Sequence, residues 1–425
     1  MNKIRILIIT MTIALTSFSF GQTESLQDLI NRAITLSPKI KMLEAKKKAA
    51  YNRIAINTNI PDPVLTLGLV NMPTNSFSFT QEPMTQKVVG LSQTFPFPGS
   101  LSSIEEANSI DTLIINQEIK EATNEIKMYV KQKYYELGYL RKDISLNEES
   151  LNLLKKISHV VATKYTVSTA SQQNILKVQL QITDLTEKIN ELKSKEQSIL
   201  ADLNALLLKN SNSETVSIEI TEINYLHFEN GELDSLSIKN RPLLNSIKYA
   251  EKKSELSQIA AQKKFYPNLN LQVQYGFRDK IAATNTPLND FLSVMVGVTL
   301  PFNYGGKYSA AVDEQISMQE YYSEQYALAV QNLNGRFGAI VSQLSSLEVR
   351  TKLFEEGLIT QAKQNFNSAL ASYQVNEVDF INVIDAQDQL LKVESNLFRL
   401  KTDYVKLVAE IEFLTGTEFY KEILK

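Results

Sequence analysis

Residues 175–206 read ILKVQLQITDLTEKINELKSKEQSILADLNAL, and residues 383–414 read VIDAQDQLLKVESNLFRLKTDYVKLVAEIEFL. In both stretches mostly apolar residues recur at alternating spacings of three and four. The first set is Ile175, Val178, Ile182, Leu185, Ile189, Leu192, Glu196, Ile199, Leu203 and Leu206. The second set is Val383, Ala386, Leu390, Val393, Leu397, Leu400, Tyr404, Leu407, Ile411 and Leu414. This spacing is typical of a helix that supercoils against a partner. Every position of the second set follows its counterpart in the first set by the same number of residues. The two sets therefore predict an internally duplicated chain.

The segments before these two stretches also repeat. Leu26–Thr58 and Leu233–Lys264 both have helical periodicity. Pro38 and Pro242 occur inside these segments, and we expect Pro38 to lie in the first turn of a helix, where a missing backbone N–H costs little. The sequence therefore predicts a matching pair of shorter helical segments.

After each of these segments the apolar period changes from about 3.6 residues to two. Alternation then covers 65–69 and 89–95 in the first half, and 269–277 and 292–300 in the second. Such strands are typical of an outer-membrane barrel, although a soluble sheet gives the same pattern. Aromatic residues cluster at the strand ends and could form interfacial girdles; they are Phe95, Phe97, Phe265, Tyr266, Tyr275, Phe277, Phe291, Phe302 and Tyr304.

Two proline-free stretches, Leu101–Lys164 and Lys307–Ser372, predict long helices. The first would be roughly 95 Å long. Each leads through a turn into one of the quoted stretches, and Val216–Thr221 alternates like a short strand. The predicted organisation is a first repeat at 22–209, a linker at 210–232 and a second repeat at 233–425.

The composition excludes several kinds of site. The chain has no cysteine, only two histidines and a formal charge of −3. Disulfides and thiolate metal sites are therefore impossible, and nucleic-acid binding is not indicated. The sequence also contains no phosphate-binding loop, paired-histidine motif or cysteine nucleophile, so we expect neither an enzyme nor a cofactor.

The N-terminus resembles a secretory signal. Lys3 and Arg5 precede an apolar run, and Ser19 and Gly21 are small residues before a cleavage point at Gln22. We therefore expect residues 1–21 to be removed; the alternative is an N-terminal membrane anchor, for which the run is short.

Four strands cannot close a membrane barrel, which needs at least about eight. If the strands lie in lipid, their open edges must pair with other copies of the chain. The two shorter helical segments of each repeat could stack end to end along the long helix, so that several chains would form a tube.

The helical turns carry the most specific motifs. They read Lys164-Tyr165-Thr166-Val167-Ser168 in the first half and Ser372-Tyr373-Gln374-Val375-Asn376 in the second. Together with Ser37-Pro38, Arg241-Pro242 and the stretches that follow each turn, they make the chain similar to the TolC-like outer-membrane efflux protein family. The resemblance covers essentially the whole mature sequence.

The resemblance implies a mainly α-helical fold with membrane β-strands. Three copies would form a twelve-stranded barrel in the outer membrane of a Gram-negative bacterium, above a long α-helical tunnel in the periplasm. The chain would act as a passive exit duct for a tripartite efflux or type I secretion system, with a periplasmic adaptor and an inner-membrane pump as partners. The adaptor would contact the tip residues Tyr165, Thr166, Val167, Ser168, Tyr373, Gln374, Val375 and Asn376, and Asn382 and Asp385 would line the pore constriction.

The sequence departs from the family at three points. Glycine is usual in the turns, where a positive φ is convenient, but this chain has Ser168 and Asn376. One constriction position is Asn382 instead of an acidic residue, and Asn174 and Val378 replace an ionic lock. The alternative of a different class is a soluble periplasmic coiled-coil adaptor or scaffold, which has no need of four lipid-length strands.

Overall fold

The computed structural model describes residues 24–168, 170–215, 220, 222–229, 231–375 and 377–419. The first half contains α1 (Leu26–Leu36), α2 (Pro38–Thr58), β1 (Val64–Val70), β2 (Gln86–Phe95), α3 (Ser100–Thr166) and α4 (Gln172–Leu206). The second half contains α5 (Glu232–Asn240), α6 (Pro242–Lys263), β3 (Asn268–Phe277), β4 (Phe291–Thr299), α7 (Lys307–Leu353), α8 (Ile359–Gln374) and α9 (Phe380–Thr415). A π-helical turn, Phe354–Leu358, joins α7 to α8.

The repeat predicted from the sequence is present in the fold. Pro38 and Pro242 are the first residues of α2 and α6, as expected from their missing N–H groups. Each long helix begins directly after a glycine with positive φ, at 83° for Gly99 and 73° for Gly306. Residues with a side chain rarely adopt a positive φ, so glycine allows the backbone to turn sharply from strand into helix.

The four strands form one antiparallel sheet in the order β1-β2-β3-β4. Within the described part of the chain, β1 pairs only with β2 and β4 only with β3. One edge of β1 and one edge of β4 are therefore open.

The helix α3 is the axis on which both repeats pack. Ion pairs join its first part to α2 and α6, for example Lys46 with Glu118 and Lys253 with Asp111. Other pairs join its second part to α4 and α9. Short helices from both halves therefore line α3 end to end, as the sequence predicts for α2 and α4.

The buried positions of α4 and α9 follow the three-four pattern. None of the twenty positions quoted for the two stretches is exposed. One apolar core surrounds Leu137, Leu203 and Tyr404 in the middle of the helices, and a second surrounds Leu154, Val178 and other residues near the turns. The helices α4 and α9 therefore turn inward the side chains that the three-four spacing predicts to be buried.

The contact between α3 and α9 is polar over much of its length. Glu136 on α3 accepts hydrogen bonds from Arg399 at 2.7 Å and from Lys406 at 2.6 Å. Nearer the C-terminus of α9, the buried Lys131 and Glu412 form an ion pair.

The linker segment is anchored on the same helices. Asn204 donates to the carbonyl oxygens of Ser211 and Ser213 at 3.0 and 2.7 Å. The backbone N–H of Leu226 donates to the hydroxyl of Tyr404 at 2.7 Å. Of the strand predicted at 216–221 only residue 220 is described, and the signal at 1–21 also lies outside the described residues. Among the residues that the structure describes, no helix has both the length and the apolar composition needed to cross a membrane.

Candidate functional site

The two helical turns lie together at the end of the molecule opposite the sheet. The first follows α3, and the second follows α8. Ser168 takes a left-handed conformation with φ of 58°, and its N–H donates to the carbonyl oxygen of Tyr165 at 3.0 Å. The first turn therefore has the shape for which glycine is usual, at the strain that a serine side chain adds there. Asn376 and Thr169 lie outside the described residues.

Lys164 connects the two turns. Its Nζ donates to the carbonyl oxygen of Tyr373 at 2.7 Å and to that of Gln374 at 3.4 Å. The same atom lies 4.3 Å from the centroid of the Tyr373 ring. These carbonyls are at the C-terminus of α8, where the helix dipole attracts a cation. The last turn of α3 therefore caps α8. Lys164 belongs to a sequence motif of the first helical hairpin, α3–α4, but no local signal predicted that it would reach the second hairpin, α8–α9.

Tyr165 and Tyr373 occupy equivalent positions in the repeats but have different surroundings. Tyr373 is 5% exposed, and its ring centroid lies 5.3 Å from that of Phe380. Burial raises the pKa of Tyr373. Tyr165 is 46% exposed. Tyr373 is therefore a core residue of the tip, and Tyr165 is available at its surface.

The surface of the tip is partly apolar. Tyr165, Val167 and Val375 are large exposed apolar side chains, and Val167 and Val375 are 64% and 65% exposed. The other described tip residues, Thr166, Ser168 and Gln374, are exposed polar side chains. Because both hairpins contribute an exposed valine, the tip offers a two-part apolar surface to a partner.

Asn382 and Asp385 lie on one face of the first turns of α9. Both are exposed, whereas their neighbours Val383, Ile384 and Ala386 are buried. Residues three apart share a helix face, so the amide and the carboxylate point to the same side.

One face of the sheet is apolar and exposed along all four strands. The strand register aligns Leu65, Leu91, Val273 and Val294 in one row and Leu67, Val89, Tyr275 and Leu292 in the next. Every one of these eight side chains is exposed, and Leu67 is 70% exposed. The opposite face carries mostly small or polar residues, in rows such as Thr66, Gly90, Gln274 and Ser293, with Val88 and Met295 among the exceptions.

Aromatic rings lie at both ends of the sheet. On the side of the helices Phe97 stacks on Tyr266, with ring centroids 4.4 Å apart. On the far side Tyr275 meets Phe277 at 4.8 Å, and the Arg278 guanidinium lies 3.7 Å from the centroid of Phe291. The apolar rows are therefore bordered above and below by aromatic groups, as the sequence suggests.

Comparison with known proteins agrees with this geometry. Residues 233–417 match the model of the family described as Outer membrane efflux protein. A sequence comparison with curated proteins gives no significant match. The fold is similar to that of several solved outer-membrane proteins of low sequence identity.

Three of these structures illustrate the similarity. The outer membrane protein VceC from Vibrio cholerae is 17% identical, with a TM-score of 0.75, and the match covers 93% of this chain and 96% of VceC. CusC is 15% identical, with a TM-score of 0.78 and coverage of 95% and 96%. The CmeC outer membrane channel of Campylobacter jejuni is 15% identical, with a TM-score of 0.73 and coverage of 92% and 85%. The chain thus has the fold of these outer-membrane proteins over more than nine-tenths of its length, and its residues 233–417 match the outer membrane efflux protein model.

Proposed function

We propose that this chain forms a passive exit duct in the outer membrane of a Gram-negative bacterium. The observation that carries the proposal is the exposed apolar face of a sheet whose two outer edges are open. Exposed apolar surface of this extent marks a lipid or protein contact. In lipid, open strand edges must be paired, and further copies of the chain supply that pairing.

Three copies would give twelve strands, which is enough to close a barrel. The polar face of the sheet would then line the lumen, and the helices of the three copies would continue the wall below it. In this arrangement residues 22–209 and 233–425 are the two repeats, residues 210–232 surround the wall, and residues 1–21 direct secretion.

Membrane fractionation and cross-linking test this arrangement. We expect the mature protein in the outer-membrane fraction and cross-linked species that stop at a heat-sensitive trimer. Recovery only in the soluble periplasm would favour the alternative, a coiled-coil adaptor or scaffold. Cross-linking that stops at a monomer or dimer would contradict the closure of the barrel.

The tip residues Tyr165, Val167 and Val375 would contact a periplasmic adaptor and, through it, an inner-membrane pump of a tripartite efflux or type I secretion system. Exposed apolar side chains on both hairpins support this assignment. Photocross-linking from position 167 or 375 in cells should capture a periplasmic protein. The same probe at Tyr51, an exposed apolar residue on α2, serves as the control.

Asp385 would line the constriction with Asn382. A threefold ring of carboxylates in a narrow passage favours cations. In planar bilayers Asp385→Asn should therefore lower the cation preference of the open channel. The control Glu149→Gln removes an exposed carboxylate on α3 and should have little effect. If Asp385→Asn behaves like this control, Asp385 lies outside the constriction.

A further inference from the structure

The chain passes between helices and sheet at a cluster of rings and lysines, which we call the junction cluster: Phe97, Lys263, Lys264, Tyr266, Lys307 and Tyr308. Lys263 Nζ lies 5.9 Å from the ring centroids of both Phe97 and Tyr266. Lys307 Nζ lies 5.9 Å from the centroid of Tyr308. Residues from three strand–helix connections thus bring two lysine ammonium groups near aromatic rings on the helix side of the sheet.

The junction cluster is continuous with the apolar face of the sheet. Tyr266 lies two residues before β3, which contributes Leu269, Leu271 and Val273 to that face. Lys307 begins α7, a few residues after the end of β4. A lipid whose acyl chains cover the apolar rows would therefore have its headgroup at this level.

The charges at the two ends of the sheet differ. At the far end cations meet carboxylates, as in the 2.8 Å pair of Lys87 with Asp279, and Asp290 accepts a hydrogen bond from the backbone of Arg278. Lys263, Lys264 and Lys307 have no carboxylate within ion-pairing distance in the described part of the chain. Within eight residues of a strand end on this side, the described residues include these three lysines and one acidic residue, Asp62. The junction level therefore has a surplus of positive charge.

We propose that the junction cluster binds the phosphate groups of anionic phospholipids at the periplasmic boundary of the membrane. This inference rests on the proposed outer-membrane location. Ammonium groups provide charge and hydrogen bonds to phosphate, and aromatic rings favour the level of the headgroups. The absence of neutralising carboxylates leaves the three lysines available to the lipid.

Native mass spectrometry of the full-length oligomer tests the proposal. The delipidated protein would be mixed with equal amounts of dioleoylphosphatidylglycerol and dioleoylphosphatidylethanolamine, which differ in headgroup and share acyl chains. We expect preferential retention of the phosphatidylglycerol. A variant with Lys263→Gln, Lys264→Gln and Lys307→Gln should lose this preference by a factor on the order of ten.

A control variant with Lys41→Gln, Lys48→Gln and Lys120→Gln removes three exposed lysines from the helices α2 and α3 and should retain the preference. Equal retention of both lipids by the wild type, or unchanged preference in the junction variant, would overturn the proposal. These outcomes would leave the duct itself unaffected. Absence of the wild-type protein from membrane fractions would instead contradict the proposed function.

Discussion

Replacing Lys164 tests whether the two hairpin tips are held together by the contact that the structure shows. The change Lys164→Met keeps the length and most of the apolar stem but removes the ammonium group. It deletes the hydrogen bonds to the carbonyl oxygens of Tyr373 and Gln374 and the contact with the Tyr373 ring. The effect should therefore appear at the C-terminus of α8.

The magnitude follows from the kinds of contact that are lost. A hydrogen bond from a charged donor contributes roughly 1.5–3 kcal/mol, and an exposed cation–π contact about 0.5–1 kcal/mol. Lys164 is only half-buried, so water can replace part of the interaction at the freed carbonyls. We expect the free energy of local opening to fall by about 1–2 kcal/mol, which corresponds to roughly 5- to 30-fold faster opening-limited exchange.

Hydrogen exchange measured by mass spectrometry on peptides that cover 370–381 provides the assay. Lys156→Met is the matched control, because it removes an exposed lysine about two turns earlier on α3. Tyr373→Phe retains both the ring and the carbonyl, and should exchange like the wild type. If Lys164→Met exchanges no faster than Lys156→Met, the contact does not hold the tips together.

Three further changes test the sheet, the linker and the polar helix contact. Val273→Lys places a charge on the apolar face and should destabilise the inserted oligomer by about 2–4 kcal/mol, whereas Gln272→Lys on the opposite face should be tolerated; equal heat stability of the two would argue against lipid contact. Tyr404→Phe removes the acceptor for the N–H of Leu226 and should raise exchange at that amide by roughly fivefold, for about 1 kcal/mol. Burial raises the pKa of Glu136, but Lys406 and Arg399 on α9 lower it by more. The pKa of Glu136 therefore lies below the usual 4.5. The resulting stability is present above pH 4.5 and lost as the pH falls through the lower folded value, so Glu136→Gln should flatten this acid dependence in denaturant titrations.

The fold was predictable where the sequence combines a clear period with strong boundary residues. The helix predicted at Leu101–Lys164 is observed at Ser100–Thr166, because Gly99 precedes it and no proline interrupts it. The strands were predictable because apolar residues alternate along them with a clear period of two. The π-helical turn at Phe354–Leu358 was missed, since its sequence fits an ordinary helix and only Gly357 distinguishes it locally.

The candidate site was predictable only in part. The sequence identified both turns, but it treated Tyr165 and Tyr373 as equivalent. Their exposure differs because Tyr373 packs on Phe380 within a core that both hairpins share, and such packing leaves no trace in local sequence. The partner of Lys164 is a backbone carbonyl more than two hundred residues away. No side-chain pattern could reveal that contact.

The α3–α9 contact changes character along its length, and this bears on where the tips can move. Near the turns it is apolar, through residues such as Val161 and Val383 in the shared core. Above them it carries the buried hydrogen bond of Gln387 with Ser150 and the buried pair of Lys131 with Glu412. A displacement of one residue along the helices would leave these polar groups unpaired, at a large cost that the apolar contacts near the turns do not carry. The polar part therefore fixes the register of the two hairpins, and displacement between them costs least at the tip, where Lys164 supplies the polar contact that opposes it.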